Sequence, residues 1–488
     1  MGIIKKEDIK DVAAIKRVME MCALIPGFQE KVNEDPYGTI KELGLDLVPQ
    51  DVSFSSTVNE KGLKLLSRFP DSLSQKYVDY MDAKVAFRDK LFEDCAPSNP
   101  AMNKWRKRQI GRCNLELGSR NKSLIHVTFT LEMADGCSVG CEFCGLNAGK
   151  LKGLYRYTDE NARLFRKVIS SAKEIIGDAA GCGTMYFASE PLDNPDYEKF
   201  LDDYEDCFGR TPQITTAIVT RDIDRMKRLL SRLDESSNII YRFSITSREM
   251  AETVLREFTP EELIYVELLP QYEEAPGNGF VKVGRAAEML TKNKKTAEND
   301  IQEVDGKNPE EDGNSEIEDN KNEEFSDTIS CISGFKVNMV RKEIVLTTPT
   351  NATKQWPTGV IILDKAVFTD GDDFAEKLKG MIRKHMMNII KPSDRIHIRD
   401  FVKIEKGEGN LMKAIGREGA EYHFTINENS EVYLYIFDIL KEGYITRRDL
   451  VSRITSMEKY RGTSSEAIFY IINRLWEMGI IETESGAI

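Results

Sequence analysis

The chain reads as a mixed α/β protein of several domains, and three observations carry that reading. Residues 1–120 hold apolar stripes at helical spacing, short β-branched runs alternate with amphipathic stretches from about residue 123, and an acidic segment interrupts the pattern after residue 290. At 488 residues there is room for about two or three domains, each with its own core.

The helical region comes first, over 1–120. Val12, Ile15, Val18 and Met19 form one stripe; Tyr77, Tyr80, Met81, Val85 and Phe87 form another. Within it, "FQEKVNEDPYGTIKELGLDLVPQDV" (28–52) predicts a short capped helix. Asp35 is placed as the N-cap, Pro36 takes the first helical position, Ile40 and Leu43 share a face, and Gly44 stops the helix.

Over 121–290 the runs "SLIHVTFTL", "TMYFAS", "QITTAIV", "IIYRFSI" and "LIYVELL" read as strands, separated by helices such as "ENARLFRKVISSAKEIIG" and "DIDRMKRLLSRL". Alternation of this kind predicts a parallel sheet with helical crossovers, five to six units closing into a full or partial α/β barrel whose chemistry sits at the C-terminal strand ends. The stretch 291–328 is strongly acidic and poor in large apolar side chains, so it predicts a disordered insert. A C-terminal extension over 329–404 begins with strands and continues into helix. The last part, 405–488, reads as a strand, three helices and a closing strand, a winged-helix-like pattern.

Charge and composition exclude several classes. With 68 Lys+Arg against 81 Asp+Glu the net charge is -13, which argues against nucleic acid or an anionic membrane as partner. No apolar run reaches spanning length, and charges break up the N-terminal residues where a signal peptide needs a continuous apolar core. A cytoplasmic protein is expected, with its nine cysteines as thiols, ligands or catalysts. Four histidines (His126, His385, His397, His423) make a histidine-built metal site a poor fit.

The cysteines concentrate in "MADGCSVGCEFCGLNAG" (133–149), where Cys137, Cys141 and Cys144 fall within eight positions. The spacing would align the thiols on a helix, and buried structural cysteine is common. Glycines at 136, 140, 145 and 149 favour a tightly wrapped loop instead. Three thiolates converging on a loop suit a metal centre; structural zinc wants a fourth protein ligand that no second pair supplies. An iron–sulfur cube held by three cysteines leaves one iron open for chemistry.

Cys-x-x-x-Cys-x-x-Cys with Phe143 before the last cysteine, directly after the strand "LIHVTFTL", resembles the signature of the radical S-adenosylmethionine (SAM) enzymes. The resemblance implies a partial (β/α)6 barrel and one [4Fe–4S] cluster on Cys137, Cys141 and Cys144, with the amino and carboxylate groups of SAM on the fourth iron. In "TMYFASEPLDNPDY", Glu190 matches the family's Gly-Gly-Glu-Pro glutamate, which helps hold the SAM ammonium, although Ala188 and Ser189 replace the glycines. By the same resemblance Ser244, in "YRFSIT", corresponds to a ribose contact, and Gly277 and Gly279 to the adenine edge.

Residues 331–374, "GCSVGCEFCG" and "GFVKVGRA" look more narrowly like the radical SAM peptide epimerases that mature ribosomal peptides of the proteusin kind, over roughly 20–375. That implies L-to-D inversion in a precursor peptide: a 5′-deoxyadenosyl radical takes the Cα hydrogen, and a thiol returns one from the opposite face. Cys331, isolated beyond the insert, is the expected donor; Cys182 and Cys207 are the runners-up, while Cys22, Cys95 and Cys113 look structural. The implied partners are a precursor with a nitrile-hydratase-like leader and an electron donor such as flavodoxin or ferredoxin. Residues 28–52 look like such a leader, which implies either that they imitate or template its docking or that they form an ordinary helical cap; 405–488 is a second candidate for peptide recognition, with a plain structural domain as the alternative. Peptide crosslinking and non-catalytic iron–sulfur peptide binding are the rival readings.

Overall fold

Helical spacing and local caps decide the N-terminal elements. In the computed structural model, which describes residues 3–45, 73–233, 239–279, 281–289, 327–387, 389–426, 431–460 and 463–484, α1 (Ile9–Leu24) buries Val12, Ile15 and Val18. α2 (Phe28–Glu34) and α3 (Pro36–Glu42) follow. Asp35 caps α3 by accepting from Gly38 N at 2.8 Å, Pro36 sits at its first position, and Gly44 leaves it at φ +66°. Ile40 is buried in a cluster with Val12, Tyr77 and Ile264, against which Leu43 packs. α4 (Leu73–Asp94) and α5 (Pro100–Leu117) complete the helical part. Residues 46–52 of the leader-like segment and 291–326 of the acidic stretch lie outside the described residues.

β1 (Val127–Glu132) is buried along its whole length. β2 (Ala134–Asp135) and β3 (Gly153–Leu154) pair antiparallel and close the base of the cysteine loop. Beyond them α6 (Asp159–Ile176), α7 (Tyr197–Phe208), β4 (Thr215–Thr216), α8 (Ile223–Leu230), β5 (Tyr241–Ile245), α9 (Arg248–Glu257) and β6 (Val266–Pro270) follow in turn. β4, β5 and β6 pair in parallel and in chain order.

The structure departs from the sequence expectation at "TMYFAS", which is largely irregular. It still lies between β1 and β4: Leu131 N donates to Thr184 O at 2.9 Å, and Thr184 bridges Gln213. Side chains capture the backbone groups that a ladder would use. Thr184 Oγ1 donates to Tyr186 O at 2.8 Å, and Glu132 Oε1 accepts from Ala188 N at 2.8 Å. "QITTAIV" shortens to two strand residues for the same reason, because Ala217 N donates to Glu190 Oε2 and Ile218 N to Thr216 Oγ1.

β7 (Ile332–Asn338) returns to the free side of β1 and pairs with it in parallel, from Val127 opposite Ile332 to Glu132 opposite Asn338. β8 (Glu343–Pro349) and β9 (Val360–Val367) add antiparallel strands, giving the order β9-β8-β7-β1. α10 (Gly371–His385) packs on α6 and on β8 and β9. Phe129 and Phe335 face the helices in one large core with Phe165, Phe200 and Phe374.

The C-terminal part contains β10 (Arg395–Ile398), β11 (Lys403–Lys406), β12 (Leu411–Ile415), β13 (Glu421–Thr425), α11 (Val432–Lys441), β14 (Ile445–Thr446), α12 (Arg447–Thr455), α13 (Ser465–Glu477) and β15 (Ile481–Thr483). β10 is central between β14 and β15, and β11, β12 and β13 form a separate antiparallel meander. Its hydrophobic cluster begins at Ile390, ahead of the boundary expected at 405. The unit seats on α5, where the Arg108 guanidinium lies 3.9 Å from the Trp476 ring centre. Gly111 and Gly479 permit the close approach, since an added Cβ would meet Glu477 O at 2.8 Å and Arg112 N at 2.4 Å respectively. The whole is a mixed α/β fold; among the described residues the sheets number five and none closes into a barrel.

Candidate functional site

The cysteine loop leaves the C-terminal end of β1 and is wrapped by turns, not helix. Cys137 N donates to Gly149 O at 2.9 Å and Lys152 N to Asp135 O at 2.7 Å, pinning the loop's two ends. Gly136 (φ +90°) is obligatory, because a Cβ there would lie 2.2 Å from Lys150 O. Val139 N points at Cys137 Sγ (3.5 Å) and Ala148 N at Cys144 Sγ (3.4 Å). Burial, with the neighbouring Cys144 and Cys137 sulfurs, pushes the Cys141 thiol up to about 11.

Two other segments close over this loop. Ser138 binds the Asp193 carboxylate through both its N–H (2.9 Å) and its hydroxyl (2.5 Å), and Arg221 Nη1 donates to the same hydroxyl at 2.7 Å. Arg285 N donates to Cys144 O at 3.1 Å, and Gly284 lies so close to Gly145 O that a Cβ would reach 2.4 Å. Asp193, Arg221 and Arg285 are functional neighbours that sequence reasoning missed. No spacing links them to the cysteines; only the fold does.

Glu190 belongs to the same assembly. It is 3% exposed and accepts from Ala217 N (2.9 Å) and Leu192 N (3.1 Å). Burial pushes its carboxyl up to about 7, against the pull of the Ala217 N–H, the Thr216 hydroxyl and the Leu192 N–H. Among the described residues no Lys, Arg or His forms an ion pair with it, and the adjacent Ser189 Oγ is buried without a hydrogen-bond partner. A buried carboxylate without a cation invites an ammonium ligand.

Arg242 and Ser244 lie on the face of β5 opposite Tyr241, Phe243 and Ile245, which pack under the helices. Arg242 Nε is 3.2 Å and Lys84 Nζ 2.6 Å from Glu267, while Tyr186 OH is 2.6 Å from Thr215 Oγ1. Cys331 stands within electrostatic reach of Arg242 and Tyr186. Its carbonyl accepts from Val127 N at 2.9 Å, at the N-terminal end of the β1–β7 pair. The length of β1, roughly 17–20 Å at the usual rise, separates that end from the cysteine loop. Neighbours crowd Cys331 although it keeps some accessible surface, and burial raises its thiol pKa, with Arg242 opposing.

The remaining expected residues are less tightly gathered. Phe143 is half-buried on the cysteine loop. Gly277 packs on the end of α1, donating to Ala23 O at 2.8 Å with a Cβ position 2.9 Å from that of Ala23, so helix packing accounts for its lack of a side chain. Gly279 is exposed, with open space around it.

The donor chemistry fits an iron–sulfur cluster with SAM. Among the described residues no group of three or more His, Cys, Asp and Glu side chains is already arranged to hold a metal ion. The three thiols nevertheless share one loop, with N–H groups aimed at two of the sulfurs. Glu190, hydrogen-bonded to backbone but paired with no cation among the described residues, and the unpartnered Ser189 Oγ would suit the ammonium of an amino acid ligand.

Fold and site thus define a mixed α/β protein with a three-cysteine loop at the end of a buried strand. The chain is 31% identical over 488 residues to the uncharacterized protein y4wI of Sinorhizobium fredii (strain NBRC 101917 / NGR234), covering 98% of this chain and 88% of that one, and it belongs to the same family. No family model matches the chain. No solved structure matches it.

Proposed function

We propose that the chain is a radical SAM peptide epimerase, which inverts L-residues to D in a ribosomally made precursor peptide within the cytoplasm. The finer fold belongs to this reading. β1, the Thr184 segment, β4, β5 and β6 would be the successive staves of a partial (β/α)6 barrel, and α11, α12 and α13 with β14 and β15 a winged-helix-like unit that recognises peptide.

One observation carries it. The cysteine loop follows the C-terminal end of β1, whereas Cys331 sits at the N-terminal end of the parallel β1–β7 pair. Inversion needs removal of hydrogen from one face of Cα and delivery to the other, so two reactive groups at opposite ends of the same strands suit it. Cys137, Cys141 and Cys144 would hold a [4Fe–4S] cluster, which with SAM would supply the 5′-deoxyadenosyl radical for hydrogen abstraction. Glu190, with Ser189 beside it, would hold the methionine ammonium and Ser244 would contact the ribose; Cys331, kept as S–H by its buried setting, would give its hydrogen atom to the Cα radical.

Co-expression with a precursor peptide in deuterium oxide, followed by chiral amino-acid analysis, tests the reading. D-residues carrying one deuterium each are expected. A change in mass beyond deuterium would favour crosslinking. Absence of 5′-deoxyadenosine from reconstituted, reduced protein would leave a non-catalytic binder.

A further inference from the structure

Three of the six cysteines outside the loop meet in one place. Cys95, just past the end of α4, and Cys182, in the turn Asp178–Cys182 ahead of the Thr184 segment, share a buried cluster with Val127 and Ile332, and Cys331 packs against it. The Cys95 and Cys182 side chains lie together in that buried cluster. Arg210 Nη1 donates to Cys182 Sγ at 3.0 Å, while Arg210 Nη2 is 3.6 Å from Asp94. A guanidinium held on one sulfur of a thiol pair favours thiolate there and leaves the proton on the other. The neighbouring Cys95 and the Arg210 guanidinium lower the Cys182 pKa against burial, while the neighbouring Cys182 and burial raise that of Cys95.

Resting on the epimerase reading, we propose that Cys95 and Cys182 are the thiol pair that restores Cys331 after each hydrogen transfer. Donation to a Cα radical leaves Cys331 as a thiyl radical. Cys95 passes it the hydrogen atom of its S–H, so Cys331 regains its thiol and Cys95 becomes the radical. The Cys95 sulfur then forms a three-electron bond to the Cys182 thiolate, giving a disulfide radical anion. One electron from the low-potential one-electron carrier that serves the enzyme, with one proton from water, breaks that bond and returns Cys95 thiol and Cys182 thiolate. The Arg210 side chain is 37% exposed, so the pair lies one side chain beneath the surface that such a carrier can reach. The donor at the inner end of the sheet is thereby served from outside without the peptide leaving.

The test compares reconstituted wild type with Cys95→Ser and Cys182→Ser on precursor peptide, counting D-residues and 5′-deoxyadenosine. Wild type is expected to invert many residues per chain. Each variant is expected to give a 5′-deoxyadenosine burst of wild-type size and then stop at about one D-residue per chain; sustained wild-type turnover in both would overturn the relay. Because a substitution at a buried cysteine can disturb folding, diamide oxidation of the intact wild-type chain with peptide mapping supplies an independent measurement. A Cys95–Cys182 crosslink is expected ahead of any other pair, and its absence also overturns the proposal. Wild type that forms the crosslink but makes no D-residue would fail at the parent reading and take the relay with it, which separates that failure from one of the pair itself.

Discussion

The Asp193 carboxylate binds Ser138 with both oxygens, one to the hydroxyl at 2.5 Å and one to the backbone N–H at 2.9 Å, across 55 residues of chain. This bond fastens the cysteine loop to the turn after Glu190, and so sets the distance between the three cysteines and the carboxylate proposed to bind SAM.

Asp193→Ala should loosen that fastening without unfolding the core. Losing two hydrogen bonds to a charged acceptor costs roughly 1–3 kcal/mol, which about ten- to a hundredfold weaker SAM binding would report. Iron content and SAM affinity of the reconstituted protein check it; unchanged affinity refutes it.

Glu190 predicts a pH dependence in the ligand-free protein. Its folded pKa is raised to about 7 from an ordinary 4.5, so the fold holds the proton after the unfolded chain has lost it. Stability from this group is therefore full below about pH 4.5 and lost as pH rises to about 7, by up to about 3 kcal/mol. Urea unfolding of wild type and Glu190→Gln should diverge in favour of the variant between about pH 5 and about pH 8. A constant difference sinks the assignment. SAM should bind wild type more tightly as pH rises through the same window, because the ammonium wants the ionised form.

Gly479→Ala should detach the C-terminal unit. Gly479 has φ +75° and its missing Cβ would sit 2.4 Å from Arg112 N, so alanine combines left-handed backbone strain with overpacking, roughly 2–4 kcal/mol in all. Calorimetry should show an earlier, separate transition, with protease cuts near 387–395; a single unchanged transition counts against it.

Cys331→Ala should separate hydrogen abstraction from hydrogen return. 5′-Deoxyadenosine formation is expected to continue, while D-residues fall by at least about tenfold, the scale of losing a single essential donor. Normal D-residue yield from the variant removes Cys331 from the reaction.

Much of the fold is legible because periodicity records which face is buried. Asp35, Pro36 and Gly44 announce α3 in local chemistry alone, and "VTFTLE" and "YRFSI" become strands as read. "TMYFAS" and "QITTAIV" mislead because their threonines, with Glu132 and Glu190, take over backbone N–H and C=O groups, an outcome decided by partners distant in sequence. The site divides the same way. Three cysteines among glycines are visible as a loop, and Glu190 through its resemblance, but the contacts of Asp193, Arg285 and the Cys95–Cys182 pair exist only after folding. Gly277, matched by resemblance to an adenine edge, also packs against the end of α1, a contact that the sequence does not announce.

The pairing of Val127 with Ile332 also orders events at the ribosome. The second neighbour of β1 is synthesised about two hundred residues after it, so at roughly 5–20 residues per second that edge stays bare for about ten to forty seconds. A nascent chain in that interval offers a buried-type strand to chaperones or to other copies of itself. A circular permutant that begins near residue 327 would make both strands early, and should emerge with less aggregation during synthesis.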